Sequence, residues 1–369
     1  MKEEKMSNRE NFSQNTIDKL AKRVSYKCSY PGCDNITVGP SMEKEDSTSS
    51  TGMACHIYAA AKGKGARRIS EDSSIDLSGY NNGIWMCYKH GKKIDTDEKK
   101  YTPELLLEWK RVRESISETE HSFSGNSYRN IINNIKIAKN SIELNSDSFQ
   151  SEISDFMDLT YARKIWGDDI FFSIREFITE VVRNSFSHGG ANKVEIISNG
   201  SISIIEDGKE FDIFSLSTNC SGRGGHMSVK NLLDTYEGNV LISSSRENSK
   251  NIISVFVVNN LENIKEYTNC YLDFDERDIL CSDKKLISVI NESSIYDGCG
   301  CIYIISNYGM TYTCVEPLKN QIMEIKSSEV HASKKIFLVY NGMSKNLKEY
   351  MEENIPDVKF IKTDRIKKY

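Results

Sequence analysis

Hydrophobic and polar positions change period several times along the chain, and the changes mark its organisation. Near residue 100 the segment TPELLLEWKRVRES places apolar side chains three and four apart, the spacing of an amphipathic helix opened by Thr and Pro. The stretch 119–155 is rich in Ser and Asn, and within it IINNIKIAKN is amphipathic enough to predict a connecting helix. IREFITEVVRNSFSH again follows a helical period, and it precedes four β-branched runs, KVEIIS, SISIIE, NVLISSS and NIISVFVV, that predict strands. The remainder reads strand–helix–strand–helix–strand, over CIYIIS, EPLKNQIMEIKS, KIFLVYN, KNLKEYMEEN and VKFI, the pattern of a small α/β unit. This predicts an α+β multidomain protein with a head at 1–118, a helical linker at 119–155, an α/β domain at 156–261 and a C-terminal α/β unit at 262–369. No internal repeat is seen.

The chain has 369 residues, longer than one hydrophobic core usually serves. Charges without an apolar stretch at the N-terminus argue against a signal peptide, and no apolar run approaches the length of a membrane span. The expectation is a cytoplasmic protein without membrane contact, in a reducing compartment where paired cysteines are metal ligands. A net charge of -5 excludes coating nucleic acid by bulk charge, so DNA contact requires a local basic patch.

Cys28 and Cys33 flank a Pro-Gly turn in CSYPGC, and Cys87 and His90 form a second short-spaced pair in MCYKH. Two such knuckles supply the four ligands that tetrahedral structural zinc prefers. Between and after them lie ACHIYAAAKGKGARR, NNGIWMCYKH, KKIDTDEKKYT and PELLLEWK. Over roughly residues 23–112 this succession resembles the HNH, or ββα-metal, nuclease family. The resemblance implies a DNA-cleaving domain in which His56 is the general base and Asn82 is the central Asn, orienting the base or helping to hold the catalytic ion. Asp95 takes the place of the last metal-binding position, so Mg²⁺ or another divalent ion would be held by Asn82, Asp95 and waters. The sequence departs from the family in carrying Cys55, a poor Mg²⁺ ligand, immediately before the base. Lys62, Lys64, Arg67 and Arg68 form the dense basic run beside His56, a natural clamp on the DNA backbone.

Further on, Glu180 and Asn184 lie four apart on one helical face, and His188 continues it. SISIIEDGKEFD then ends a strand in an acidic pair followed by Gly208, and NCSGRGGHMSVKNL presents Gly222, Gly224 and Gly225 ahead of a helix. In this order the segments resemble the N, G1 and G2 boxes of GHKL, or histidine-kinase-like, ATPases. The resemblance implies an α/β sandwich that binds ATP, with Asn184 on Mg²⁺, Glu180 polarising the attacking water, and His188 near the nucleotide. Asp207, with Glu206 close behind, is the expected partner of the adenine amino group, and the glycines bring backbone N–H groups to phosphate. The segment 209–221 is short for a mobile lid over ATP.

The combined expectation is an HNH endonuclease gated by ATP in a GHKL domain, similar to bacterial phage-defence effectors, with assembly into homo-oligomers through the second or third domain left open. A different class is a histidine-kinase or anti-sigma-like regulator with a zinc-stabilised DNA-binding head. Its candidate phospho-acceptor, His121, lacks the acidic residue that usually follows. Cys299 and Cys301 are expected to be strand packing, and 262–369 carries no motif with a readable role.

Overall fold

A computed structural model describes residues 10–362, apart from positions 64, 124–127, 129–130, 215–223, 236–239, 259–261, 275–278, 281–284, 307–309 and 341. The chain is mixed α/β with several sheets and falls into two units, one of residues 1–140 with 158–165, the other of 141–157 with 166–369.

In the first unit Ser13 caps helix α1 (Gln14–Arg23) by accepting the Thr16 N–H. Strands β1 (Val38–Pro40) and β2 (Thr48–Ser50) form a small ribbon. Strands β3 (Gly52–His56) and β4 (Gly83–Cys87) then pair antiparallel, with Gly52 opposite Cys87 and His56 opposite Gly83, and helix α2 (Tyr88–Ile94) follows at once. Leu20 and Ala21 of α1, with Val24 just past its end, bury Trp85 of β4, whose indole N–H donates to Thr37 Oγ1 at 2.9 Å. Helix α3 (Pro103–Ser122) starts at a Thr102 cap with proline in its first turn, where a missing N–H costs nothing. Its buried stripe, Leu105, Leu106, Trp109, Val112 and Ile116, keeps the three-to-four spacing read from the sequence. The helix expected over 131–140 does not extend past Ile132 among the described residues: Ile137 and Ala138 are buried in irregular backbone, and the Ala138 N–H donates to Thr160 O. The segment 158–165 completes this unit, because Leu159 O accepts the Trp109 indole N–H and the Tyr161 hydroxyl donates to Ser29 O.

The second unit contains a five-stranded sheet in the order β5 (Asn140–Leu144), β6 (Val194–Ser198), β7 (Ile202–Glu206), β9 (Lys250–Val257), β8 (Val240–Glu247), antiparallel from β6 onward. Helix α4 (Phe149–Asp158) and then, past the short α5 (Ala162–Trp166) that lies almost wholly in the first unit, helix α6 (Asp168–Asn184) follow; α6 buries Phe171, Ile174, Phe177, Ile178, Val181 and Val182 and packs on α7 (Gly224–Thr235). After α8 (Glu262–Tyr267) comes a four-stranded parallel sheet, β10 (Tyr271–Asp273), β11 (Cys301–Ser306), β12 (Lys335–Tyr340) and β13 (Val358–Lys362), in sequential order. Helices α9 (Leu286–Asn291), α10 (Val315–Lys326) and α11 (Lys345–Asn354) cross between its strands. Right-handed crossovers in a sequential sheet lay all helices on one face. Ile302, Ile304, Ile336, Leu338 and Phe360 meet Leu318, Ile322, Leu347 and Met351 there. The opposite face is also covered: Tyr303 stacks on Phe337, and its hydroxyl donates to Ile242 O of β8 at 2.6 Å. Burial on both faces is why these strands read as unbroken apolar runs.

Cys270 and Cys299 form a disulfide, which departs from the expectation of reduced thiols and of Cys299 as mere packing, whereas Cys301 is a buried thiol in β11. No helix among the described residues is long and apolar enough to cross a membrane.

Candidate metal centre and candidate active site

The first knuckle is set by backbone geometry. Pro31 and Gly32 occupy the centre of a turn closed by the Cys33 N–H on Tyr30 O, and Gly32 takes φ +73°, a conformation that suits glycine. The second lies where β4 ends: Cys87 holds the position just before α2 and His90 sits in its first turn. The ligand atoms of Cys28, Cys33, Cys87 and His90 all lie within 4.8 Å of one another, and His90 Nδ1 is 3.5 Å from Cys28 Sγ and 3.3 Å from Cys87 Sγ. A tetrahedron with metal–sulfur bonds of about 2.3 Å has ligands about 3.8 Å apart, so this cluster could hold a metal ion. Burial pushes the Cys28 and Cys33 thiols up and the His90 imidazolium down, so the site disfavours charge on its ligands until a cation offsets it. Tyr30 braces the ligand set by stacking on His90 at 4.0 Å, and Lys93 donates to the Tyr30 hydroxyl.

His56 ends β3. Its Nε2 is 3.0 Å from Glu10 O, and its ring lies flat on Phe12 with centroids 3.9 Å apart and planes at 10°. A carbonyl only accepts, so Nε2 carries the hydrogen and Nδ1 the basic lone pair of the neutral ring. His56 lines a cleft of about 520 Å³ with Cys55, Asp95, Lys62, Arg67, Arg68 and Lys92 over a floor of alanines and glycines. Basic side chains around a small-residue floor suit a phosphate backbone approaching closely. Cys55 is buried and its thiol is pushed up to about 12 by desolvation and by nearby Asp95, which leaves it a neutral group on the cleft.

Two expected site residues, Asn82 and Arg68, are held inside the fold by their own hydrogen bonds. Asn82 is buried with its amide fully engaged: Oδ1 accepts the Tyr58 N–H at 2.8 Å, and Nδ2 donates to Tyr58 O and Leu77 O. It clamps the loop that follows His56 and lines another cleft, with Tyr58 and Tyr80, and both ends of its amide are taken by backbone groups. Arg68 is not an exposed clamp. Its side chain is 2% exposed, and its guanidinium donates to Ile57 O, Ile94 O, His56 O and Asp95 Oδ1. Lys62 and Arg67 are exposed at the cleft, and Lys64 lies outside the described residues. Asp95 remains half exposed on the cleft, oriented by Arg68 at 2.9 Å, so one carboxylate that could hold a cation shares the space with His56.

No family model, curated protein or solved structure matches the chain.

In the second unit the period-two register of β7 buries Ile202, Ile204 and Glu206 on one face. Glu206 therefore points inward, accepting the Gly208 N–H at 2.5 Å and an amide hydrogen of Asn251, which is held in turn by Arg246 at 2.6 Å. Asp207 falls on the other side, where its carboxylate takes the N–H groups of Lys193 and Asn192 and is held below its usual range by those bonds. Glu206 is thus the interior carboxylate and Asp207 a surface cap. Gly208 is required by contact, since a Cβ there would lie 2.7 Å from Glu206 Oε2 and 2.9 Å from Gly189 O.

Glu180 pairs with Arg183 on α6, and Asn184 ends that helix. Ser185–Gly189 then forms a single π turn that carries exposed His188. Gly224 and Gly225 open α7, while Gly222 and part of 209–221 lie outside the described residues. A helix face, an interior carboxylate at a strand end and a glycine-led helix thus occur in one unit. The fit to Mg-ATP is partial, because Glu206 is already engaged.

Sequence reasoning missed Glu10 and Phe12. Nothing in NRENFS signals a site, and their contact with His56 is visible only once α1 has folded against β4.

Proposed function

We propose that this protein is a metal-dependent DNA endonuclease whose activity is controlled by nucleotide in its second unit. The observation that carries the reading is His56. It is a histidine with its Nε2 committed to a backbone carbonyl, facing a basic cleft that also holds Asp95, on a β-hairpin–helix whose Cys87 and His90 belong to the metal cluster. His56 draws a proton from water onto Nδ1 while Nε2–H stays on Glu10 O. The water oxygen bonds to phosphorus as the phosphorus–oxygen bond to the leaving sugar breaks. A divalent ion, when bound, neutralises charge on the phosphate and the leaving oxygen, and Asp95 is the carboxylate that would help to hold it. Zinc at the cysteine–histidine cluster would be structural, because all four positions are protein ligands. Lys62, Arg67 and Lys92 would contact the DNA backbone without reading sequence.

The second unit supports control by ATP through the succession of Glu180, Asn184 and His188, the Glu206–Gly208 turn and the glycine-led α7. Coupling would come from unequal affinity for ATP in cleaving and resting states. Phage defence, in which nucleotide depletion releases the nuclease, is the setting this combination suits.

The test is plasmid cleavage crossed with divalent metal and with ATP, ADP or no nucleotide. His56→Ala should lower cleavage by about 10²- to 10⁴-fold with DNA binding intact. Cleavage by His56→Ala at the wild-type rate removes the reading.

A further inference from the structure

The sequence places the candidate base in a motif that begins near residue 23, yet two of the contacts that fix His56 come from ahead of α1. Glu10 pairs its N–H with Ala60 O at 3.0 Å and offers its carbonyl to His56 Nε2 at 3.0 Å. Two residues later the half-buried Phe12 lies parallel to the imidazole. Room for that ring exists because Gly83, the residue paired with His56 across the hairpin, has no side chain. A Cβ at Gly83 would sit 2.4 Å from Leu20 Cδ1 and 3.1 Å from Phe12 Cζ. Residues 10–12 thus run across the open end of β3 and β4, anchored on both sides of the histidine.

We propose that this segment is a strap belonging to the active centre, with Phe12 as a positioning residue for His56. An imidazole at a strand end can turn about its side-chain torsions and exchange its proton between nitrogens. The Glu10 carbonyl selects the Nε2–H form, and the flat face of Phe12 fixes the ring plane, so Nδ1 keeps one direction. Glu10 acts through its backbone, leaving Phe12 as the position where side-chain identity matters. The role in cleavage rests on the nuclease reading; the fixing of the ring does not.

The experiment uses the full chain with ¹⁵N-labelled histidine. Long-range ¹H–¹⁵N spectra report which ring nitrogen carries the proton, and His56→Gln assigns the signal among the six histidines. The wild type should show His56 as a single Nε2–H tautomer. Phe12→Leu keeps an apolar group but loses the flat face, and should give a mixture of tautomers with metal content and thermal midpoint retained. Phe12→Tyr and Phe12→Trp should restore the single form. Gly83→Ala, which crowds the ring from the other side, should disturb it as Phe12→Leu does. In plasmid cleavage, kcat should follow the spectra, falling about 10- to 100-fold in Phe12→Leu with KM unchanged, the scale expected from a misplaced reacting group. A His56 signal that is the same in the wild type and Phe12→Leu overturns the proposal, as does equal loss in Phe12→Tyr. An inactive wild type would sink the nuclease reading, while the tautomer spectra still decide the strap.

Discussion

Arg68 offers the sharpest test of how the first unit is held together. Its guanidinium joins the end of β3, the last turn of α2 and Asp95, and Arg68 itself adopts φ +53°, uncommon for a residue with a side chain. Arg68→Met keeps most of the stem and removes every donor. Ile57 and Ile94, both 0% exposed, then keep carbonyls without that charged partner. A buried acceptor deprived of its donor costs about 1–3 kcal/mol. The Asp95 end adds well under about 1 kcal/mol, because that carboxylate is half exposed. The expected loss is about 3 kcal/mol. Urea unfolding can read it in the whole chain, because Trp85 and Trp109 belong to the first unit and Trp166 to the second. In a Trp166→Phe background the emission reports the first unit alone. With an m-value of about 2 kcal/mol/M, the midpoint should fall by about 1.5 M. Arg68→Lys should recover part of this, since one ammonium cannot reproduce the fork. A midpoint lowered by less than about 0.3 M would mean that the carbonyls find water, and the central role of Arg68 would be refuted.

Purified protein should contain about one zinc ion per chain, and Cys28→Ser should lose it and destabilise the first unit; a metal-free but stable wild type, by elemental analysis, excludes the centre. Lys110 is buried with its ammonium over the Tyr80 ring, and desolvation, partly opposed by Glu114, pulls its pKa down to about 8. Because the unfolded lysine titrates near 10.4, the unfolded state binds the extra proton between pH 8 and 10.4. Stability relative to Lys110→Met should therefore rise with pH across that window, by on the order of 1–2 kcal/mol; a flat or falling difference in urea unfolding contradicts the burial of a charged lysine. In the second unit Asn184→Ala should abolish binding of Mg and a fluorescent ATP analogue, whereas Glu180→Ala should bind it and release phosphate more slowly. Identical behaviour of the two variants would remove the assigned division of roles.

Much of the architecture could be read from local pattern. CIYIIS, KIFLVYN and VKFI became β11, β12 and β13, and the intervening segments became α10 and α11, because strand runs and amphipathic helices carry their own periods. The metal cluster was readable too, since a Pro-Gly turn and a strand-to-helix junction each hold a ligand pair at short range. What escaped depends on contacts distant in sequence. Nothing separates Arg68 from Lys62 or Arg67 until the chain folds, when Arg68 meets three carbonyls and the other two stay exposed. The partnership of Cys270 with Cys299 spans 29 residues and leaves no local trace. That Glu206 points inward was readable from β7 alone, because counting by twos from Ile202 arrives at Glu206.

The return of residues 158–165 to the first unit has a bearing on the order in which the protein is made. Trp109 and Ser29 are synthesised early, yet the acceptor for one and the donor to the other, Leu159 O and the Tyr161 hydroxyl, emerge after 141–157 has been laid down for the second unit. A growing chain, folding from its N-terminus as it leaves the ribosome, cannot close the first unit at residue 140. Its cleft residues therefore exist for a time in an unfinished framework, and they become a settled whole only when the chain has already committed itself to the unit that follows.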